Sequence, residues 1–324
     1  MYDSERVTLA RLPSGVAVET TVHTYGDGDG PTLYVQAAQH GREINGAEVC
    51  RRLHDRLDPA DVVGTLVVVP VADPLTFDHV SYVTPEELDS VNSNMNRVWP
   101  GDDDGTVHQR MAATLWAYAS DADACVDLHT GSPEMLTHTV YLRGDADSRA
   151  LAEAFGVDVL LAETAGEDAD EEWGTRSFDG KFRVAATRAG IPTITPELSH
   201  NRQLVEPAVE AGVDGVLDVC RHLGLLDGEP RSREEFTVAR NHLGRVVADD
   251  SGLFVPVDDL DIGREVREGE HLGRVYDPGT YESRQAVTAE RDGFVYSITR
   301  EATVTAGETL VGVAERITDD EARS

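Results

Sequence analysis

Leu33-Tyr34-Val35-Gln36-Ala37-Ala38-Gln39-His40-Gly41-Arg42-Glu43 decides the fold. Residues 33–38 form an apolar run of the kind that makes a strand buried on both faces. The run stops on a polar cluster. Beyond it Ile44, Ala47, Val49, Leu53 and Leu57 recur at helical spacing. A buried strand followed at once by an amphipathic helix is half of a β-α-β unit. Upstream, 16–24 reads as a strand ending in the turn cluster Gly26-Asp27-Gly28-Asp29-Gly30-Pro31. Downstream, strands are expected over 66–71, 124–128, 140–142 and 192–197, and helices over 106–119, 148–155, 181–189 and 207–223. Gly190 and Gly224 stand where the last two helices should stop. Alternating strands and helices predict an α/β domain with a mixed, mostly parallel sheet flanked by helices. Ligands in such sheets bind beyond the carboxyl ends of the strands. His40, Asp127-Leu128-His129 and Glu197 are each expected where an apolar strand ends.

The pattern changes near Gly228-Glu229-Pro230. From Phe236 onward the segments are short, β-like and broken by glycine. Gly269-Glu270-His271-Leu272 and Gly307-Glu308-Thr309-Leu310 are matching turns in two similar half-units. They predict a small pseudo-symmetric all-β domain of barrel-sandwich type, similar in pattern to biotinyl- and lipoyl-carrier domains. A carrier needs an acceptor lysine in the second turn, and Lys181 is the chain's only lysine. That likeness therefore concerns the fold alone. The expected domains are 1–228 and 229–324, with the boundary within 225–236.

Composition narrows the function. The 324 residues carry 28 Lys+Arg against 60 Asp+Glu, a net charge of −32. A chain so acidic, without a basic patch, is not expected to bind nucleic acid. Its apolar runs are far shorter than the ~18–20 residues of a membrane span. The opening Met1-Tyr2-Asp3-Ser4-Glu5-Arg6 does not read as a secretion signal. Acidic residues spread along the chain, and nearly all basic residues are arginine, a pattern that reads as a salt-adapted cytoplasmic protein. Cys50, Cys125 and Cys220 are odd in number and far apart, which predicts reduced thiols.

Four short runs could carry chemistry. His40 and Glu43, three apart at a strand end, can reach one metal ion; the plain alternative is a first-turn acid at a helix N-terminus. His129 would add a distant third ligand, and an open fourth position is the format of catalytic zinc. Asp127 is placed to accept from a ligating imidazole. In Asn94-Met95-Asn96-Arg97, an arginine fork beside an amide suits a carboxylate, and the plain alternative is a polar turn. Glu197, in apolar surroundings, could act as a general base with a raised pKa. An acidic stretch, 163–172, followed by Trp173-Gly174, could cover a pocket or be a solvated loop.

Together and in this order, His40-Gly41-x-Glu43, Asn96-Arg97-x-x-Pro100-Gly101, Asp127-Leu128-His129 and Glu197 resemble the succinylglutamate desuccinylase/aspartoacylase family, of zinc-carboxypeptidase-like fold. The resemblance extends to the lead-in Gly30-Pro31-Thr32-Leu33 and to the glycine-rich C-terminal domain. It implies one zinc ion per chain on His40, Glu43 and His129. It implies Asn96 and Arg97 on a substrate carboxylate, and Glu197 activating a zinc-bound water and protonating the leaving amine. The reaction implied is hydrolysis of a small N-acyl amino acid or related N-acylated amine. A zinc carboxypeptidase acting on short peptides, or a non-catalytic small-molecule-binding relative, stands as the alternative. The chain departs from the family pattern twice. Asn94 stands where an aspartate is usual, and 77–93 lacks the usual arginine; either His79, Arg42, Arg143 or Arg176 substitutes for it, or the substrate differs. The acyl group, the amine and the oligomeric state stay open, although the β domain could supply an interface for a homo-oligomer.

Overall fold

The computed structural model describes residues 1–131, 134–163, 178–231, 233, 235–241, 244–301 and 303–323. The first half of the chain runs β1 (Tyr2–Arg11), β2 (Ala17–Gly26), β3 (Thr32–Ala37), α1 (Ile44–Arg56), β4 (Thr65–Val69), α2 (Pro74–His79), α3 (Val107–Ala119) and β5 (Ala124–Gly131). It continues through β6 (Glu134–Met135), β7 (His138–Leu142), α4 (Ala146–Phe155), β8 (Val159–Glu163), α5 (Phe182–Arg188), β9 (Thr193–His200) and α6 (Glu206–His222). The remainder is β: β10 (Thr237–Arg240), β11 (Arg245–Val247), β12 (Gly252–Pro256), β13 (Glu265–Val266), β14 (His271–Tyr276), β15 (Ser283–Thr288), β16 (Gly293–Ile298), β17 (Thr303–Val304) and β18 (Thr309–Arg316), closed by the short α7 (Asp319–Arg323).

One mixed sheet organises the molecule, in the order β1-β2-β4-β3-β5-β9-β7-β8-β10-β18-β16-β13. β4, β3, β5 and β9 are parallel neighbours, while β7 runs antiparallel to β9. Strand alternation sorts the side chains onto two cores. Leu33, Val35, Val126, Leu128, Ile194 and Leu198 pack against α1, α4 and α6. Tyr34 and Cys125 point the other way, toward α3 and α5. Gln36, Asp127, His129 and Glu197 share that second face by the same two-residue period, at the carboxyl ends of their strands.

The expected fold class holds, with local corrections. β5 and β9 do not stop at His129 and Glu197 but run on to Gly131 and His200, and these two residues face each other across the ladder. β1 went unread because most of its residues are exposed and only its last third, around Leu9 and Ala10, reaches a core. β8, four apolar residues ending on Glu163, was also unassigned. The C-terminal strands form the expected sandwich. A four-stranded sheet, β15-β14-β12-β17, packs through Phe254, Leu272, Val275 and Val287 on Val295, Leu310 and Val311 of the facing strands. That facing layer is not separate. β10 pairs in parallel with β8 and antiparallel with β18, and β6 pairs with β16, so one sheet crosses the expected boundary. All three cysteines are buried and unbridged. The acidic stretch after Glu163, Trp173-Gly174 and Arg176 lie outside the described residues. No described helix is long and apolar enough to cross a membrane.

Candidate active site

The turn after β3 delivers the first two candidate ligands. Ala38 adopts a left-handed φ of 51°, which swings Gln39 and His40 away from the strand direction. Gly41 then passes against α2 so closely that a Cβ would lie 1.8 Å from the Thr76 carbonyl oxygen. Glu43 occupies the N-cap position of α1, where a carboxylate would ordinarily bind the free backbone N–H groups. It does not cap the helix. Its Oε1 lies 3.0 Å from His40 Nδ1, and its Oε2 lies 2.9 Å from His129 Nδ1 and accepts from the Thr130 N–H at 3.1 Å. The carboxylate is spent on the site instead of on the helix.

Both imidazoles are oriented from behind. His40 Nε2 donates to Asn94 Oδ1 at 3.2 Å, and that oxygen also accepts from the Asn96 backbone N–H at 2.9 Å. Asn94, standing where the resemblance expects an aspartate, thus still presents an accepting oxygen to His40. His129 Nε2 donates to Asp127 Oδ2 at 3.0 Å. Both Nδ1 atoms are left facing Glu43. His40 Nδ1 is buried and makes no hydrogen bond, despite its nearness to Glu43. Two imidazole lone pairs and a carboxylate, all buried and with ligand atoms within 4.8 Å of one another, could hold a metal ion.

The electrostatics agree with a cation there. Burial opposes the charge of Glu43, but His40 and His129 pull its pKa below the ordinary carboxylate range. Burial likewise opposes a charged His129, yet Asp127 and Glu43 raise its pKa well above the ordinary value. These groups compete for positive charge, which a metal ion would supply in place of a proton.

Asp127 is itself fixed by a network. Tyr34 Oη donates to Gln36 Oε1 (2.9 Å) and Trp99 Nε1 donates to Gln39 Oε1 (2.7 Å). These donors orient the two amides, whose Nε2 groups reach the Asp127 carboxylate at 3.0 and 2.9 Å. Glu197 lies beside His129 across the β5–β9 ladder. Burial pushes its carboxyl up to about 7; the Glu43 and Asp127 charges add to this, and His129 and Lys181 oppose it.

His40, Glu43, Asp127, His129 and Glu197 line a cavity of about 280 Å³ to which both halves of the chain contribute. Asn96 is buried, its Oδ1 accepting from the Phe182 N–H and its Nδ2 3.4 Å from His129 Nε2. Arg97 lies over the Phe178 ring at 5.3 Å. Of the proposed stand-ins for the missing arginine, Arg42 lines the cavity, lying over Tyr82, which stacks on His40. His79 does not, because its Nδ1 donates to the Leu75 carbonyl, and Arg143 reaches instead to the Glu321 carbonyl.

Several lining residues were not anticipated. Lys181 and Arg183 both pair with Glu163 in the wall. Arg245, from β11, lines the same cavity near enough to Arg97 for the two charges to repel, and makes no ion pair among the described residues. His138, Tyr296, Ser297 and Thr309 complete this side. The only lysine of the chain is therefore a cavity residue, which its solitude could have signalled; nothing in the local sequence marks Arg245 or His138.

Residues 29–223 match the succinylglutamate desuccinylase/aspartoacylase catalytic domain. N-alpha-acetyl-L-2,4-diaminobutyric acid deacetylase from Halomonas elongata is 29% identical over 310 residues, covering 89% of this chain and 83% of that protein. The crystal structure of a succinylglutamate desuccinylase/aspartoacylase from Rhodobacter sphaeroides superposes with a TM-score of 0.83 at 26% identity, covering 98% of this chain and 95% of that one. The product-bound ectoine utilization protein EutE (DoeB) from Ruegeria pomeroyi has the same fold, with a TM-score of 0.84 at 24% identity over 97% of this chain and 95% of its own. With the family's catalytic domain matched over more than half of its length, the chain belongs to the succinylglutamate desuccinylase/aspartoacylase family.

Proposed function

We propose that this chain is a zinc-dependent deacylase that hydrolyses the amide of a small N-acyl amino acid. The observation that carries the reading is a buried carboxyl, Glu197, opposite His129 across the β5–β9 ladder and in the same small cavity as the His40-Glu43-His129 ligand set, its pKa raised by burial. Bound zinc supplies Lewis-acid polarisation of a carbonyl and lowers the pKa of water toward ~7. His40 Nδ1, Glu43 and His129 Nδ1 would hold it, one ion per chain. Asn94 and Asp127 keep the two imidazoles in the tautomer that leaves Nδ1 free.

Glu197 has the balanced affinity for protons that the rest of the reaction needs. It takes a proton from the attacking water and returns it to the nitrogen as the C–N bond breaks, so amide and water leave as carboxylate and amine. Arg97 and Arg245 both line the cavity, and two guanidinium groups there suit the carboxylate of an amino acid. Arg245 thus stands in for the arginine missing upstream of Asn94. The Halomonas relative makes N-α-acetyl-L-2,4-diaminobutyrate the first substrate to try, followed by N-acetyl and N-succinyl amino acids and dipeptides.

The test is metal content by mass spectrometry, in high salt, for the wild type and His129→Ala, together with amine release from that panel. About one zinc per chain, lost in the variant, with release from N-acyl amino acids and not from dipeptides, bears the proposal out. A wild type that neither carries nor takes up zinc overturns it.

A further inference from the structure

One titratable group in the cavity has no part in the reaction above. His138, on β7, is 2% exposed. Its partner on β9 is Glu197, whose partner on β5 is His129. Directly opposed residues on neighbouring strands point to the same face, about 4.8 Å apart. A metal-ligand candidate, a candidate base and a second imidazole thus stand in one row, with Glu197 in the middle. The next row, Asp127, Thr195 and Val140, also lines the cavity, so the face is continuous.

The tautomer of His138 follows from geometry. Nδ1 lies 2.7 Å from the Leu136 carbonyl oxygen. A carbonyl can only accept, so Nδ1 carries the hydrogen. Burial pushes the pKa of the ring down to about 4, with the Leu136 carbonyl opposing only in part, so the imidazole is neutral. Nε2 is left with a lone pair, and no donor among the described residues reaches it. Tyr296 packs edge-on against the ring at 5.8 Å and limits its rotation. A fixed acceptor in a cavity calls for a ligand that brings a donor.

The carboxylate and acyl oxygens of an N-acyl amino acid can only accept. The one hydrogen that every such substrate carries at the reacting centre is the amide N–H. We propose that His138 Nε2 accepts a hydrogen bond from the N–H of the scissile amide. The bond holds the nitrogen beside Glu197 and makes the site selective for secondary amides over the matching esters. No proton is exchanged with His138; the nitrogen keeps its own hydrogen, gains one from Glu197 and leaves as an amine. This inference rests on the deacylase reading.

The experiment compares kcat/KM for an N-acetyl amino acid and for the O-acetyl hydroxy acid of the same skeleton. The proteins are the wild type, His138→Phe and His138→Gln, with zinc content and circular dichroism read for each. In His138→Phe we expect the amide reaction to fall about 10–100-fold, with the ester reaction within about threefold of the wild type. His138→Gln, whose side-chain oxygen can reach the Nε2 position, should recover much of the amide rate. Should His138→Phe not fold, the smaller His138→Leu carries the same comparison. Equal losses on both substrates, or no loss on the amide, overturn the assignment while leaving the deacylase reading intact. A wild type that cleaves neither substrate overturns both.

Discussion

Asp127→Asn probes the site with the smallest change of shape. The Asp127 carboxylate is 1% exposed and accepts from three directions, Gln36 Nε2, Gln39 Nε2 and His129 Nε2. The first two cannot turn away, because Tyr34 and Trp99 donate to their oxygens and point their nitrogens inward. An asparagine offers one accepting oxygen and one donating nitrogen. Whichever way its amide rotates, an N–H faces another N–H. Losing a charge-assisted hydrogen bond costs about 1.5–3 kcal/mol, and stranding a buried donor costs about 1–3 kcal/mol more. A destabilisation of about 2.5–6 kcal/mol is therefore expected. His129 also loses the carboxylate that holds its Nε2 hydrogen, so Nδ1 presents its lone pair less firmly, and removal of such partners lowers metal affinity about 10–100-fold. The assays are denaturant unfolding and zinc competition against a chelator of known affinity, both in molar salt. Zinc affinity within threefold of the wild type in a folded variant would refute the argument, because the orienting role of Asp127 would then be absent.

Glu197→Gln should keep its zinc and lose about 10²–10⁴ in kcat; in the wild type, kcat/KM should climb with pH as the carboxyl, raised by burial, ionises. The same raised pKa costs stability. Ionising Glu197 in the fold is unfavourable, so with a chelator present the wild type should weaken as pH rises from about 4.5 to 7, and at pH 8 Glu197→Gln should be the more stable protein by up to about 3 kcal/mol, a gap that closes at pH 4. Gly41→Ala should displace the turn from the Thr76 carbonyl and lower both Tm and zinc content; native values for both would show that the turn yields. Arg245→Ala should raise KM for carboxylate-bearing substrates about tenfold or more with little change in kcat, and an unchanged KM would remove it from the anion site. With a net charge of −32, the Tm should rise from dilute buffer to molar KCl, and a flat response would contradict the salt-adapted reading.

The parts of this site differ in how far the sequence could expose them, and the reason is physical. His40 and Glu43 are three residues apart because one tight turn holds both, so their chemistry is visible in a single window. Leu33–Ala37 and Ala124–Leu128 are apolar on both faces because helices cover both sides, and this betrays a central sheet. Asn94 departs from the motif in sequence, yet its side-chain oxygen accepts from His40 and from the Asn96 N–H, a contact that only the folded chain displays. Arg245 and His138 had no such signal. Each sits in an ordinary β segment, and each reaches the cavity only through pairing with strands far away in the chain. His129, Glu197 and His138 form a row because β5, β9 and β7 meet in one register. A slip of β9 by a single residue would turn Glu197 into the opposite core, where Leu198 now packs, and bring Pro196 or Leu198 to the cavity. Leu198 and Ile194, buried on the helical side, resist that slip. The apolar half of β9 thus places the half that carries Glu197, and a core substitution at Ile194 or Leu198 would shift Glu197 through the register without touching the cavity.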